Sequence, residues 1–223
     1  MAVAWNDGAV ETKWLKHYSS AQNILIVGDG DFSFSLALAT AFGSGANLVA
    51  TSLDSYACTE RPMNSGPEHY SDATSNVTKL EAMGATVLHG VDVKDMNLHA
   101  NLQLRSSSTS LTPGSMDART KWMSHQELVR SIFATARHML RRHGEIHVTH
   151  KTKHPYSMWS IEQLASQSSL AMVEQAAFQI QDYPGYNQKR GSSWRCDQDF
   201  AIGDCCTFKV CLEWWASDDD RFF

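Results

Sequence analysis

Two glycines and two aspartates alternate directly after the first apolar run of the chain, in Val27-Gly28-Asp29-Gly30-Asp31-Phe32-Ser33. The position, at the join of a strand and a helix, is where α/β folds bind ligands. Glycine there permits a sharp turn and a close approach of backbone to ligand. The helix start would present N–H groups and a positive dipole end, suited to a carboxylate or phosphate. Asp29 and Asp31 disfavour a pyrophosphate by repulsion. They suit a zwitterion with an ammonium group, of which S-adenosylmethionine is one. A purely structural turn is the other reading. Ser33 belongs to the same loop. Asp54 closes the next strand, 24 positions after Gly30. It is placed either to accept ribose hydroxyls or to form a turn. Asp92 ends the third strand, where it could meet an adenine edge.

Two further segments could do chemistry. His147-Val148-Thr149-His150-Lys151-Thr152-Lys153-His154-Pro155 ends a later strand. His147 and His150 fall on opposite faces of an extended chain, so with His143 and His154 they make a poor metal set. Lys151 and Lys153 are cationic and are expected to be accessible. Asp182-Tyr183-Pro184-Gly185-Tyr186-Asn187-Gln188-Lys189-Arg190-Gly191 interleaves aromatics with bases. Tyr183 and Tyr186 could stack an unpaired base while Lys189 and Arg190 meet phosphates. An ordinary turn with two packed tyrosines is the alternative.

The elements that must hold these residues read as alternating strands and helices. Strands are expected at 23–27, 47–53, 85–91, 145–149, 170–180 and 206–214. Helices are expected from Phe32 to Gly43, from Asp72 or Ser75 to Gly84, from Ser124 to Arg142, and from Ser157 to Gln167. That order implies a parallel sheet with helical crossovers. Residues 1–22 read as an N-terminal arm, 23–215 as one domain, and 216–223 as a disordered acidic tail. Residues 101–123 are an irregular insert. Five Ser and two Thr fall among the ten positions from Ser106 to Ser115, with Pro113 and Gly114. No apolar strand is visible before the long helix.

The 223 residues are 43% hydrophobic and 19% charged, a globular composition with a net charge of -5. That charge argues against coating of nucleic acid by bulk charge and leaves a locally basic groove open. No apolar run is long enough to cross a membrane, and no secretory signal is expected. The five cysteines lack C-x-x-C spacing, so no zinc site is expected and the thiols should be reduced.

The segment Ile24 to Ser35 strongly resembles the opening of the 25S rRNA (uridine-N3) methyltransferase-like family. So do Val49–Asp54, Leu88–Asp92, His125–Val129, Gly144–Pro155 and Asp182–Gly191, in order over residues 20–210. The resemblance implies a Rossmann-like class I methyltransferase sheet, S-adenosylmethionine as donor, and methylation of uridine N3 in large-subunit rRNA. It implies donor contacts from Gly28, Asp29, Gly30, Asp31, Ser33, Asp54 and Asp92. An rRNA or pre-ribosomal partner follows, with a place in the nucleolus or nucleus, the cytoplasm being the alternative. His150 and Lys151 are the catalytic candidates, His150 as the base for the N3 proton. The family also has a fourth strand followed by an Asn-Phe-Pro-His-type motif. Leu104–Met123 offers neither, so the sheet is expected to lack its fourth central strand. Little activity is then expected, and a silent RNA- or protein-binding module is the rival reading.

Overall fold

The computed structural model describes residues 11–54, 70–99, 102, 108–111, 122–190 and 196–216. A short hairpin, β1 (Trp14–Leu15) and β2 (Tyr18–Ser19), precedes a seven-stranded sheet. The sheet is built from β3 (Ile24–Val27), β4 (Leu48–Thr51), β5 (Thr86–Leu88), β6 (Ser108–Leu111), β7 (Glu145–Lys151), β8 (Leu170–Ala177) and β9 (Cys205–Leu212). Their spatial order is β5-β4-β3-β6-β7-β9-β8. β5, β4, β3, β6 and β7 are parallel, and β9 runs antiparallel to both of its neighbours.

The helices are α1 (Ser33–Phe42), α2 (Ala73–Ala82), α3 (Trp122–Ala136), α4 (Ile161–Ser166) and the short α5 (Glu213–Ala216). The alternation of β3 explains the layers. Ile24 and Ile26 join a core with Phe34 and Leu38 of α1 and Leu80 of α2. Leu25 and Val27 join the other core, with Ile132 and Phe133 of α3 and Leu164 of α4. All four β3 side chains are buried, as a strand covered on both faces requires.

The fourth strand is present, and this corrects the expectation of its loss. Ser108–Leu111 lies in mid-sheet, with Ile24 and Glu145 opposite Ser108 and with Val27 and Val148 opposite Leu111. Backbone pairing on both sides holds it. Peptide groups need partners whatever side chains they carry, so Ser-Thr-Ser-Leu can close a gap between two apolar strands. A search for an apolar run has no means of detecting such a strand.

Other boundaries moved modestly. The long helix starts at Trp122, so Ser124 lies inside it, and it stops at Ala136, short of Arg141 and Arg142. β8 ends at Ala177, with an irregularity between Met172 and Glu174. The arm is more than a cover. Tyr18 is buried beside Phe34 and Tyr183, and His17 meets His147 at 4.9 Å between ring centroids. The acidic tail from residue 217 and most of the Ser/Pro-rich insert lie outside the described residues.

Candidate functional site

Every candidate loop emerges at one edge of the sheet. β3, β4, β5 and β7 end there, β8 ends there, and β9 begins there, with Lys151 opposite Cys205 and Ala177 opposite Cys206. This is the carboxyl edge of the parallel strands, where open α/β sheets bind ligands.

Gly28 has φ of 72°, a left-handed conformation that suits glycine, and it turns the chain out of β3. The Asp29 N–H returns to the Thr51 carbonyl at the end of β4, 3.0 Å away. Both aspartates then fold onto the start of α1. Asp29 Oδ2 accepts the Ser35 N–H at 2.7 Å and the Ser35 hydroxyl at 2.5 Å. Asp31 Oδ1 accepts the Ser33 N–H at 3.0 Å and its hydroxyl at 2.7 Å. The sequence suggested a helix start suited to an external carboxylate or phosphate, but the Ser33 and Ser35 N–H groups are already taken. The chain's own carboxylates occupy them.

Both carboxylates are buried. Burial first, and the neighbouring Asp31 second, push Asp29 up to about 7. Burial also raises Asp31, opposed by its bonds from Ser33 and by nearby Lys189. Neither forms an ion pair among the described residues. Two desolvated carboxylates side by side make a site that favours positive charge.

The loop is roofed by Tyr70 and by Tyr186–Lys189. Asn187 and Ser33 are stitched together, the Asn187 N–H donating to Ser33 Oγ at 3.1 Å. Asn76 of α2 donates its side-chain N–H to the Asp31 carbonyl at 2.8 Å. The enclosed space is about 10 Å³, room for about one water. A Cβ on Gly30 would stand 2.6 Å from the Tyr70 hydroxyl. Tyr70, Ser35, Asn76, Asn187 and Gln188 were not singled out in the sequence. Ser35 is local to the loop, whereas the spacing of Tyr70, Asn76, Asn187 and Gln188 carries no signal, because only the fold brings them here.

Asp54 is half-buried just after β4, and its carbonyl accepts the Gly90 N–H at 3.0 Å. Asp92 is exposed, and its Oδ1 accepts the Lys94 N–H at 2.9 Å. The two sit on adjacent loops, since the Val91 N–H bonds the Ser52 carbonyl.

β7 sends its candidates to opposite faces. His150 is buried against Trp159, with centroids 4.4 Å apart, and its Nδ1 lies 2.7 Å from the Lys151 carbonyl, so Nδ1 carries the proton. Lys151 turns the other way. Its Nζ donates to the Ala201 carbonyl at 2.8 Å and lies 3.8 Å from the Phe200 ring centroid. Burial lowers its pKa. Lys153 pairs with Asp204 at 2.8 Å. Among the described residues no cluster of three His, Cys, Asp or Glu side chains is placed to hold a metal ion.

The base-stacking reading of Tyr183 and Tyr186 is corrected. Both rings are buried. Tyr183 stacks on Phe178 with centroids 5.0 Å apart, and Tyr186 meets Phe34 at 5.3 Å and donates its hydroxyl to Gln188. Apolar packing inside the loop outweighs display to solvent. Lys189 is also committed: its Nζ lies 3.2 Å from Asp197 and 3.3 Å from Asp199. Arg190 stays exposed.

Residues 25–190 match the family described as rRNA (uridine-N3-)-methyltransferase BTM5-like. The chain belongs to this family. It is 43% identical over 211 residues to heavy metal-associated isoprenylated plant protein 41 of Arabidopsis thaliana, covering 92% of this chain and 39% of that protein. It is 40% identical over 209 residues to an uncharacterised Arabidopsis thaliana protein, covering 89% of this chain and 97% of that one. The chain thus spans well under half of the first relative and nearly all of the second. Among solved structures, the 30S ribosomal A1408 methyltransferase from an uncultured bacterium matches with a TM-score of 0.51 at 10% identity, over 86% of this chain and 88% of that one. TrmN from Thermus thermophilus matches with a TM-score of 0.51 at 11% identity, over 85% and 43%. These likenesses are of fold, the Rossmann-like methyltransferase sheet.

Proposed function

We propose that the chain transfers a methyl group from S-adenosylmethionine to N3 of a uridine in large-subunit rRNA. The observation that carries this reading is the loop between β3 and α1, with Asp29 and Asp31 buried together at the carboxyl edge. Family membership supplies the rRNA class of substrate.

The residues fit the donor in chemistry. Paired buried carboxylates suit its ammonium group, and Gly30 leaves a face free of side chain. They fit in space only when Tyr70 leaves Gly30. The bound donor would supply an electrophilic methyl on a sulfonium. Asp29 and Asp31 would hold the donor's amino acid end, and the half-buried Asp54 its ribose hydroxyls. Gly28 sets the turn that aims the loop. The chain's main contribution would be to hold donor and acceptor in line. Uridine N3 must also lose a proton. His150 is the candidate for that role: with the proton on Nδ1, bonded to the Lys151 carbonyl, Nε2 is the basic nitrogen of its neutral ring. Lys151 lies on the face that carries the Phe200 loop, where burial lowers its pKa. A methyltransferase of this class would work on pre-ribosomal particles in the nucleolus or nucleus.

The test is incubation of the full chain with labelled donor and large-subunit rRNA, followed by nucleoside analysis. Labelled 3-methyluridine is expected. Donor binding without any methylated nucleoside would favour the silent binding module instead. One observation favours that rival: the sequence after β6 reads Thr112-Pro113-Gly114-Ser115 and lacks the family's Asn-Phe-Pro-His-type motif.

A further inference from the structure

A second cavity opens on the other side of the Tyr186–Lys189 strap. It encloses about 600 Å³ between the Gln179–Gln181 turn and the Phe200–Gly203 segment. That is within the usual range for small-ligand sites, about 300–1,000 Å³. Asn187 and Gln188 line both this cavity and the small one over the Gly28–Asp31 loop. Two residues therefore form the partition between them.

We propose that this cleft seats the acceptor base, an unpaired pyrimidine of an RNA strand. The inference rests on the methyl-transfer reading for its chemistry, but the cleft's lining argues for a base independently. Four residues with side-chain amides line it, Gln179, Gln181, Asn187 and Gln188. Each amide carries both a donor and an acceptor. The imide edge of uracil alternates acceptor, donor and acceptor, so amide N–H groups can hold O4 and O2 without imposing a charge and leave N3 open to transfer. Gln188 is buried, its carbonyl oxygen accepting from the Tyr186 hydroxyl and its side-chain N–H donating to the Lys189 carbonyl, and Asn187 donates to Asp199 at 3.1 Å, so these two brace the wall while the exposed Gln179 and Gln181 are the amides left to meet a base. Phe178, Phe200 and Ile202 supply apolar surface for a ring.

No lining residue is cationic, and Asp199 adds a carboxylate at the rim. A phosphate channel would need the opposite. The cleft thus suits a base and rejects the backbone. Lys151 acts on it as a positioning residue. Its bond to the Ala201 carbonyl and its place over the Phe200 ring fix the far wall.

The test is photo-crosslinking of the full chain to a single-stranded oligoribonucleotide carrying one 4-thiouridine, with the adduct mapped by mass spectrometry. An adduct within residues 178–181 or 199–203 is expected, competed by the same oligonucleotide with ordinary uridine. Gln181→Ala should lower its yield at limiting RNA about fivefold, the worth of one hydrogen bond, while S-adenosylmethionine affinity stays unchanged. An adduct confined to other segments, or no adduct, overturns the assignment. If the adduct maps to the cleft but the chain transfers no methyl to uridine, the base site stands and the methyl-transfer reading falls.

Discussion

The Tyr70 hydroxyl stands where a side chain on Gly30 would begin, 2.6 Å from an ideal Cβ and with the ring's Cζ at 2.8 Å. One residue thus fills the approach that glycine leaves open at another. Tyr70→Ala should clear it and tighten S-adenosylmethionine binding by up to about tenfold, since less of the population would be blocked. Gly30→Val should abolish binding and also push Tyr70 away. Adding Tyr70→Ala to Gly30→Val should recover thermal stability without recovering the donor. Calorimetry and melting of the three variants would show whether the tyrosine is a plug; unchanged affinity in Tyr70→Ala would mean that it is not.

The buried aspartates give a pH signature. Asp29 is raised to about 7, chiefly by burial and then by Asp31. A raised acid contributes stability while it stays protonated, and that contribution is lost as pH rises through the folded value. Stability should therefore fall between about pH 4 and pH 7 by more in the native chain than in Asp29→Asn, whose amide oxygen can still accept from Ser35. Donor binding should run the other way. A bound ammonium stabilises the ionised form, so protons should be released on binding below neutrality. Calorimetric titrations in buffers of different ionisation heat would detect that release; a proton uptake would contradict the placement of the ammonium.

The Gly28–Asp31 loop was legible in sequence because strand, glycine turn and helix are contiguous. Local patterning placed Gly28, Asp29, Gly30, Asp31 and Ser33 at one strand-to-helix join. What was not legible came from distance along the chain. Tyr70, Asn76 and Gln188 reach the loop only through crossovers. The Tyr183–Arg190 segment showed its residue types but not their orientation, because whether a ring packs or stacks is decided by partners such as Phe34 and Phe178. The fourth strand failed for another reason: its pairing resides in peptide groups, and its side chains carry no hydrophobic signal.

Asp54 offers a cleaner test of the ribose contact than its neighbours. Its backbone carbonyl already bonds Gly90, and its own N–H bonds the Ser52 hydroxyl at 3.1 Å. Both main-chain links survive removal of the carboxylate. Asp54→Ala should weaken donor binding by roughly 10- to 150-fold, the loss of charge-assisted hydrogen bonds of about 1.5–3 kcal/mol. A change below about twofold would leave it a turn residue.

The basic pair of the Tyr183–Arg190 loop should divide in its effects. Arg190 is exposed, whereas Lys189 ties its loop to Asp197 and Asp199. Arg190→Ala should reduce the salt slope of RNA affinity by about one unit. Lys189→Ala should leave the slope almost unchanged and lower the melting temperature. Equal slope changes in the two variants would show that Lys189 leaves its carboxylates to meet phosphate.

The mid-sheet position of Ser108–Leu111 makes a sharp demand on its backbone. Ser110 lies opposite Ile26 on one side and His147 on the other. In a central parallel strand each N–H donates to one neighbour or the other. Ser110→Pro deletes such a donor and places a ring where two ladders meet. Denaturant unfolding should show a large loss of stability, with the midpoint falling and both cores loosening together, because β3, which pairs with this strand, sends side chains into both cores. Ser110→Val should be tolerated or should stabilise the sheet, since it keeps the N–H and adds strand propensity. If proline and valine behaved alike, the ladder from β3 to β7 would not run through Ser110, and the sheet would have to be closed by another segment of the chain.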